Sequence, residues 1–426
     1  MENTQSILGA LFKYVYSREI ISALASSSML QKAFPMVPES EREGGEYWIP
    51  VRTSRAHGWT MNGTTGGAFA LNAAEPQRQT YAHFRGSTFM ARETIGDKEV
   101  HALLSSKGSS RTRAFVDATS HMVEALKDMA ERQQELQLLY GGKPVAGLHA
   151  SAAAVSGTGT ASQVKQIADA SWVPAMWEGS ENGYLDFYDS TGTTHRNPTT
   201  ECKITAVDLA NKRLTLSGDP DELDDVTNSD LVYFRGTKTN GMSGLVAITS
   251  NTSGSVLGIS ASTYSVWASN THNLSSARLS QGGLLEALQK PINRGAGGKF
   301  TCYCSFPSFT DCMNDLQMLK RIVNKNGGTL ELGDKAIVFT SRSATLEVVP
   351  HIYMWPSLAV IVPDSGIDRR GTTDTTFGVP GKANNLAQFS MLPDNAGYQM
   401  RILWDLALFV PKPSNCCYLY GIVNGS

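Results

Sequence analysis

The sequence is short of charge, of long apolar runs and of reactive motifs. Of its 426 residues only 18% are charged, against roughly 25% in an average soluble domain. Lys and Arg number 37 and Asp and Glu 39, a formal net charge of −2. Such a balance excludes a broad nucleic-acid-binding face, which needs surplus positive charge to displace counterions. A disordered chain is excluded as well, because 41% of the residues are hydrophobic and the net charge is small. No apolar stretch approaches the roughly 20 residues of a membrane span. The richest, Leu358 to Val362, lies between Pro356 and Pro363. The opening residues lack a basic segment and carry only a brief apolar run, Ile7 to Phe12, so no secretory signal is expected there. Synthesis and folding in a cytoplasm are the expectation.

Catalytic patterns are missing too. There is no phosphate loop, no nucleophile elbow, no dinucleotide fingerprint and no H-E-x-x-H. Six cysteines occur as a C-x-C pair (Cys302, Cys304), an adjacent pair (Cys416, Cys417) and two single residues, Cys202 and Cys312. Zinc sites want C-x₂₋₄-C pairs with matching partners, so reduced, partly buried thiols are expected. The histidines are scattered, and His351, after Pro350 and near Trp355, reads as a packed or surface imidazole. The acidic run Asp219 to Asp225 has neither the central Gly nor the final Glu of a calcium loop. It reads as a solvated turn. No catalytic residue, metal or cofactor is expected.

What is present is a mixed pattern of helices and short strands, long enough for two or three domains. The spacing suggests an amphipathic helix from Ile7 to Ala25, then extended backbone at Phe34 to Pro38. Residues 46–100 read as a long two-stranded excursion with a polar, turn-rich tip from Gly58 to Gly67. Glycines such as Gly66, Gly67 and Gly86 would let it change angle. An isolated hairpin is marginal in water, so this one must lie on the rest of the chain or on another copy. Its aromatic residues Tyr47, Trp48, Tyr81, Phe84 and Phe89 are the contact candidates.

The clearest element is a helix over 109–140. Phe115, Ala118, Met122, Leu126, Met129, Leu136 and Leu139 form one apolar face, and Gly141-Gly142 and Pro144 stop it. Its other face, which includes Glu124, Lys127, Glu131 and Arg132, reads as solvated or interfacial. Residues 143–200 are ambiguous, 201–268 read as a compact β unit, and 283–426 alternate helices and strands. The sum is α+β with no internal repeat.

Taken in order, these elements resemble the coat-protein fold of tailed bacteriophages. The strings that carry the likeness are Arg92-Glu93-Thr94-Ile95-Gly96, Met242-Ser243-Gly244-Leu245, Val349-Pro350-His351, Arg369 to Asp374 and Asp394 to Tyr398. The resemblance implies an N-terminal arm (1–45), an extended E-loop hairpin (46–100) and a peripheral domain (101–200) with a spine helix (109–140). It further implies a β-rich extension or insertion (201–283), an axial α/β domain (284–397) and C-terminal strands (398–426) returning to the peripheral domain. Arg92, Arg369 and Arg370 then join the aromatic residues as inter-subunit contact candidates.

The implied role is a structural, non-enzymatic one, a major capsid protein. Many copies would form the hexamers and pentamers of an icosahedral virion shell, assembled in the bacterial host's cytoplasm around double-stranded DNA. Scaffolding, portal and decoration or cement proteins are the further partners, and no membrane is one. Some relatives crosslink a hairpin lysine to an asparagine, but residues 46–97 contain no lysine, so a non-covalent shell is expected. The alternatives are a hydrolase with a β-rich accessory domain and a tail or adhesion protein. The charge deficit fits a shell subunit, since interface cores are depleted in charge.

Overall fold

The computed structural model describes residues 28–37, 42–43, 46–62, 67–96, 109–151, 154–320, 337–340, 344–377, 389–391 and 397–425. The helix expected between Ile7 and Ala25 lies outside them. In chain order the elements needed below are α1 (Met29–Ala33), β1 (Glu46–Arg52), β2 (Gln79–Phe84), β3 (Ser87–Gly96) and α2 (Ser109–Tyr140). The second half supplies β4 (Gly298–Cys304), β5 (Ala344–Pro350), β6 (Leu358–Pro363), β7 (Asp368–Phe377), β8 (Gly397–Phe409) and β9 (Cys417–Ile422). The chain is α+β.

β8 organises the first sheet. Its even-numbered residues Met400, Ile402, Trp404, Leu406 and Leu408 are all buried, and so are Leu403, Ala407 and Phe409 on the other face, so the strand is covered on both sides. One edge pairs antiparallel with β3 from Gly397↔Gly96 to Leu406↔Ser87, and the other with β7 from Phe377↔Ile402 to Asp368↔Phe409. α2 packs on this sheet through Leu126 and Ala130 against Ala91, Met400 and Ile402. Its last turns, Leu136 to Tyr140, are buried throughout. Met129, placed in the apolar set by spacing, is instead exposed. Arg132, placed on the solvated face, donates to the Met176 carbonyl and to Ser180 Oγ, and burial lowers its pKa.

A seven-stranded antiparallel sheet forms the β-rich part, and it begins earlier than the sequence suggested. Its strands run from Ala146–Gly147 to Leu231–Phe234, so it crosses the expected boundary at residue 200. The early strands, Ala154–Ser156 and Ser162–Gln166, are Ser- and Gln-bearing and weakly patterned; Arg213–Ser217 supplies the edge on which Ser162–Gln166 pairs, and that strand in turn pairs with Ala154–Ser156. The acidic run is a capped helical turn. Asp219 accepts from the Asp221 and Glu222 amides, and Glu222 from those of Thr199 and Thr200.

The third body is a six-stranded mixed sheet in the order Asn270–Ala277, β9, β6, β4, β5, Ile337–Thr340. Helices Gln281–Asn293 and Phe306–Lys320 accompany it; Ser280 Oγ caps the first by accepting from Gly283 N at 3.2 Å. The two C-terminal strands therefore part company. β8 pairs with β3, as a return to the front of the chain requires, whereas β9 lies inside the six-stranded sheet between Asn270–Ala277 and β6. Pro411 and Pro413 break the extended run between them.

All six cysteines are free and buried. Cys416 belongs to one apolar core and Cys417 to another, which is the opposite-face placement expected of neighbours on a strand. Burial pushes the Cys202, Cys312, Cys416 and Cys417 thiols up to about 12, and raises Cys302 and Cys304 further. Burial likewise lifts Tyr233 and Tyr418 to about 12. A raised acid holds its proton in the folded state after the unfolded chain has lost it. The stabilisation is complete below the ordinary thiol value of 9.0 and fades as pH climbs beyond it. Thermal stability should be level to about pH 8.5 and fall steeply above pH 9. At pH 8 a colourimetric thiol reagent should find no reactive cysteine until denaturant is added; rapid native labelling would contradict these burials.

Candidate assembly interface

β1 and β2 form an antiparallel hairpin with register Tyr47↔Phe84, Trp48↔His83, Ile49↔Ala82 and Pro50↔Tyr81, widened by the short strand Arg42–Glu43. Alternation splits it into two faces. Tyr47, Ala82 and Phe84 turn inward and are buried, with Tyr47 only 3% exposed. Tyr47 stacks on Phe84 at 5.4 Å, and Phe84 stacks on Phe409 of β8 at 5.7 Å. Trp48 and Tyr81 turn outward, edge to face at 6.2 Å, and Trp48 stacks on His83 at 5.0 Å. His83 N donates to the Leu257 carbonyl at 3.0 Å, tying the hairpin to the body.

Beyond the paired strands the described chain, residues 53–62 and 67–78, runs out into a hook. Its flanks are held by Thr53 N donating to Arg78 O and His57 N donating to Glu75 O, both at 3.0 Å. Asn72 donates to Thr60 Oγ1 and to the Trp59 carbonyl. Of the expected tip, Gly58 to Gly67, residues 63–66 lie outside the described residues, but its described part and its flank carry large apolar side chains. Trp59, Met61, Phe69 and Leu71 stand 65%, 82%, 50% and 78% exposed. Seven of the fourteen large apolar side chains exposed among the described residues fall between Trp48 and Met90. The surplus is thus concentrated on the hairpin and hook, and an exposed apolar patch of this kind marks a surface meant to be covered.

Gly86 is not the hinge proposed from sequence. A Cβ there would lie 2.2 Å from Asp405 Oδ1, so the glycine permits a close approach to β8 rather than supplying freedom. Gly67, at φ +120° with open space around it, does need glycine's backbone range.

The eight contact candidates divide accordingly. Trp48, Tyr81 and Arg92 are exposed and available. Tyr47 and Phe84 are consumed by packing within the chain, and Phe89 stacks on Trp404 at 5.2 Å. Arg369 is buried, donating from Nε to the Phe34 carbonyl and from Nη1 to Asp374, both at 2.8 Å. Arg370 lies over the Phe409 ring at 4.9 Å and meets Asp368 at 3.4 Å. Strand parity buries Tyr47 and Phe84 and leaves Trp48 and Tyr81 exposed, while β7 pairs with residues Met36–Val37 at Arg369, which is buried, and Arg370, which is half-buried. Burial would raise the Asp374 carboxyl, but hydrogen bonds from Arg369, Thr375 and Gln134 outweigh it and hold it below the usual carboxylate range.

Sequence reasoning missed a second cluster. Glu135 and His351 are both 0% exposed and meet at 2.9 Å, Nε2 to Oε1. Glu135 also accepts from the Leu30 amide at 2.7 Å and the Gln31 amide at 3.2 Å, capping α1 from across the fold. Tyr353 N donates to His351 Nδ1 at 3.2 Å, which assigns the ring proton to Nε2. Arg369 on Phe34 O holds the opposite end of the same segment. The hint in the sequence is that Glu135 is followed by Leu136, Leu138, Leu139 and Tyr140, the most apolar stretch of α2. Among the described residues no group of His, Cys, Asp and Glu is placed to hold a metal, and no helix is long and apolar enough to cross a membrane.

No protein-family model matches the sequence, and no curated protein does. Solved structures do. The capsid asymmetric unit of cyanophage A-1(L) aligns over 96% of this chain and 97% of that one, at 12% identity and a TM-score of 0.51. The chain has the tailed-phage capsid fold. Two other capsids align at lower scores. A native GTA particle gives 8% identity and TM-score 0.46, covering 96% and 94% of the two chains. Myoviridae phage XM1 gives 8% and 0.43, covering 96% of each. At these identities the likeness is one of backbone course, and the capsid fold here is built by this sequence's own packing, with β8 as its central strand.

Proposed function

We propose that the chain is the major capsid protein of a tailed bacteriophage, many copies of which close into an icosahedral shell around double-stranded DNA. The observation that carries this reading is the hook: a capsid-fold body holds out Trp59, Met61, Phe69 and Leu71, which nothing among the described residues covers. In this reading 46–100 is the E-loop and α2 the spine helix. The 284–397 part is axial, meeting its copies at five- and six-fold positions. The work is structural and non-enzymatic, and neither a hydrolase nor a tail or adhesion protein is favoured by the capsid fold. Electron microscopy of the purified protein under assembly conditions should show closed shells; monomers alone under every condition would end the proposal.

The shell is proposed to be non-covalent, since no lysine occurs in 46–97. Boiled particles should run on an SDS gel as one band at the mass of a single chain, and a ladder of linked subunits would refute this. Scaffolding and portal proteins, and possible decoration or cement proteins, are the proposed partners, with assembly in the host bacterial cytoplasm. Uniform, correctly sized shells from this chain alone would count against the scaffold.

A further inference from the structure

We infer that the outer edge of β3 takes an extended acidic peptide of a separate protein as an added strand. The inference rests on the shell-forming reading and adds to it the chemistry of a partner that the shell recruits. β3 pairs with β8 from Ser87 to Gly96 without a register shift. Its other edge meets no strand among the described residues. Open edges are commonly blunted by proline, lysine or a bulge, and β3 has none of the three. The stretch Ser87 to Arg92, about 20 Å long at roughly 3.3 Å per residue, borders a cleft of about 740 Å³. Consecutive residues of both parities line it, so the cleft opens on the strand's edge and not on one face. Its other walls are α2 and the segments 179–184 and 234–241, the last joined to β3 where Ser87 Oγ donates to the Asn240 carbonyl.

Charge sets the kind of peptide. Arg92, Arg132 and Arg235 line the cleft against one carboxylate, Glu181. Arg235 already pairs with Glu201. Arg92 is exposed and meets no carboxylate among the described residues. Arg132 is half-buried and bonds only to the Met176 carbonyl and Ser180 Oγ, and its Nε has no partner. Withdrawing a cation from water without a counter-ion is costly, and a carboxylate entering the cleft offsets that cost. Met90 and Arg92 lie on one face of β3, two residues apart, and both are exposed. Cross-strand neighbours meet on the same face. The added strand therefore carries an apolar residue against Met90 and an acidic one two positions along, against Arg92. This chain's own acidic run does not supply it, because Asp219, Glu222 and Asp224 already accept hydrogen bonds within their own copy.

The probe is a fluorescent seven-residue peptide alternating valine with glutamate, compared with its valine–lysine twin by anisotropy on the full chain before and after assembly. The glutamate peptide should bind about tenfold tighter than the twin or better, and Arg92→Glu should reverse the order. N-methylating one of its two sets of alternate amides should weaken binding about tenfold and the other set little, because only one set faces β3. Equal binding of the twins, or binding that survives methylation of either set, overturns the added strand. Binding to the free chain that is lost in closed particles gives the edge to another copy and overturns the separate partner. Particles that form while neither peptide binds overturn this inference and leave the shell reading standing. Edge binding of the expected pattern by a chain that never forms particles keeps the strand and overturns the shell reading.

Discussion

Glu135→Ala should be among the most damaging single substitutions in the chain. The carboxylate has no exposed surface and accepts from His351 Nε2, Leu30 N and Gln31 N. Its removal strands three donors in the interior and opens a cavity beside them. Leaving a buried donor without its acceptor costs roughly 1–3 kcal/mol, so stranding three takes a large share of a typical folded-state margin. Thermal unfolding should begin several degrees lower, with residues 28–37 the first to lose hydrogen-exchange protection. Glu135→Gln keeps the shape and loses the charge-assisted acceptance, so its cost should be about 1–3 kcal/mol. Replacing both partners by apolar residues of similar volume should recover only part of the loss, because the Leu30, Gln31 and Tyr353 amides still lack an acceptor. An unchanged melting curve for Glu135→Ala would show that the pair carries no load.

Excising the hook should do the reverse, sparing the fold and abolishing assembly. His57 N and Glu75 O already close the loop at 3.0 Å, so residues 58–74 can be replaced by a two-residue glycine turn. The removed segment holds Trp59, Met61, Phe69 and Leu71, none of them in a buried core cluster. The melting temperature should move by no more than a degree or two. Particle yield should fall by more than about a hundredfold, since losing even two hot-spot side chains at about 2 kcal/mol each weakens every contact by roughly 700-fold. Normal particles from the excised protein would show that the exposed apolar residues serve something other than assembly.

The sequence made periodic features legible and hid those that depend on tertiary neighbours. The α2 helix follows from the spacing of Leu126, Leu136 and Leu139, and β8 from its alternation. The same alternation, applied across the hairpin register, would have separated Trp48 and Tyr81 from Tyr47 and Phe84. Burial alone does not say whether the covering face belongs to the same chain. Phe409, which covers Phe84, lies 325 positions away. Arg369 looked like a surface charge because nothing near it in sequence reveals that Phe34 O would need a donor. The polar reading of the hook failed for another reason: Gly58, Gly63 and Gly67 drew attention to the turn, while Trp59, Met61, Phe69 and Leu71 lay around them without any period.

The position of β9 has a consequence in time. Among the described residues, Asn270–Ala277 pairs inside its sheet only with β9. That sheet cannot close until residue 422 has been translated, however early the rest of it emerges. Until then the apolar faces of Leu284, Leu288 and Ile361 lack the cover that Cys417 and Leu419 bring. Pairings between such distant segments are also slow to form. A half-made subunit thus lacks a finished third body to offer its neighbours, and the order of translation itself delays joining until the chain can fold completely.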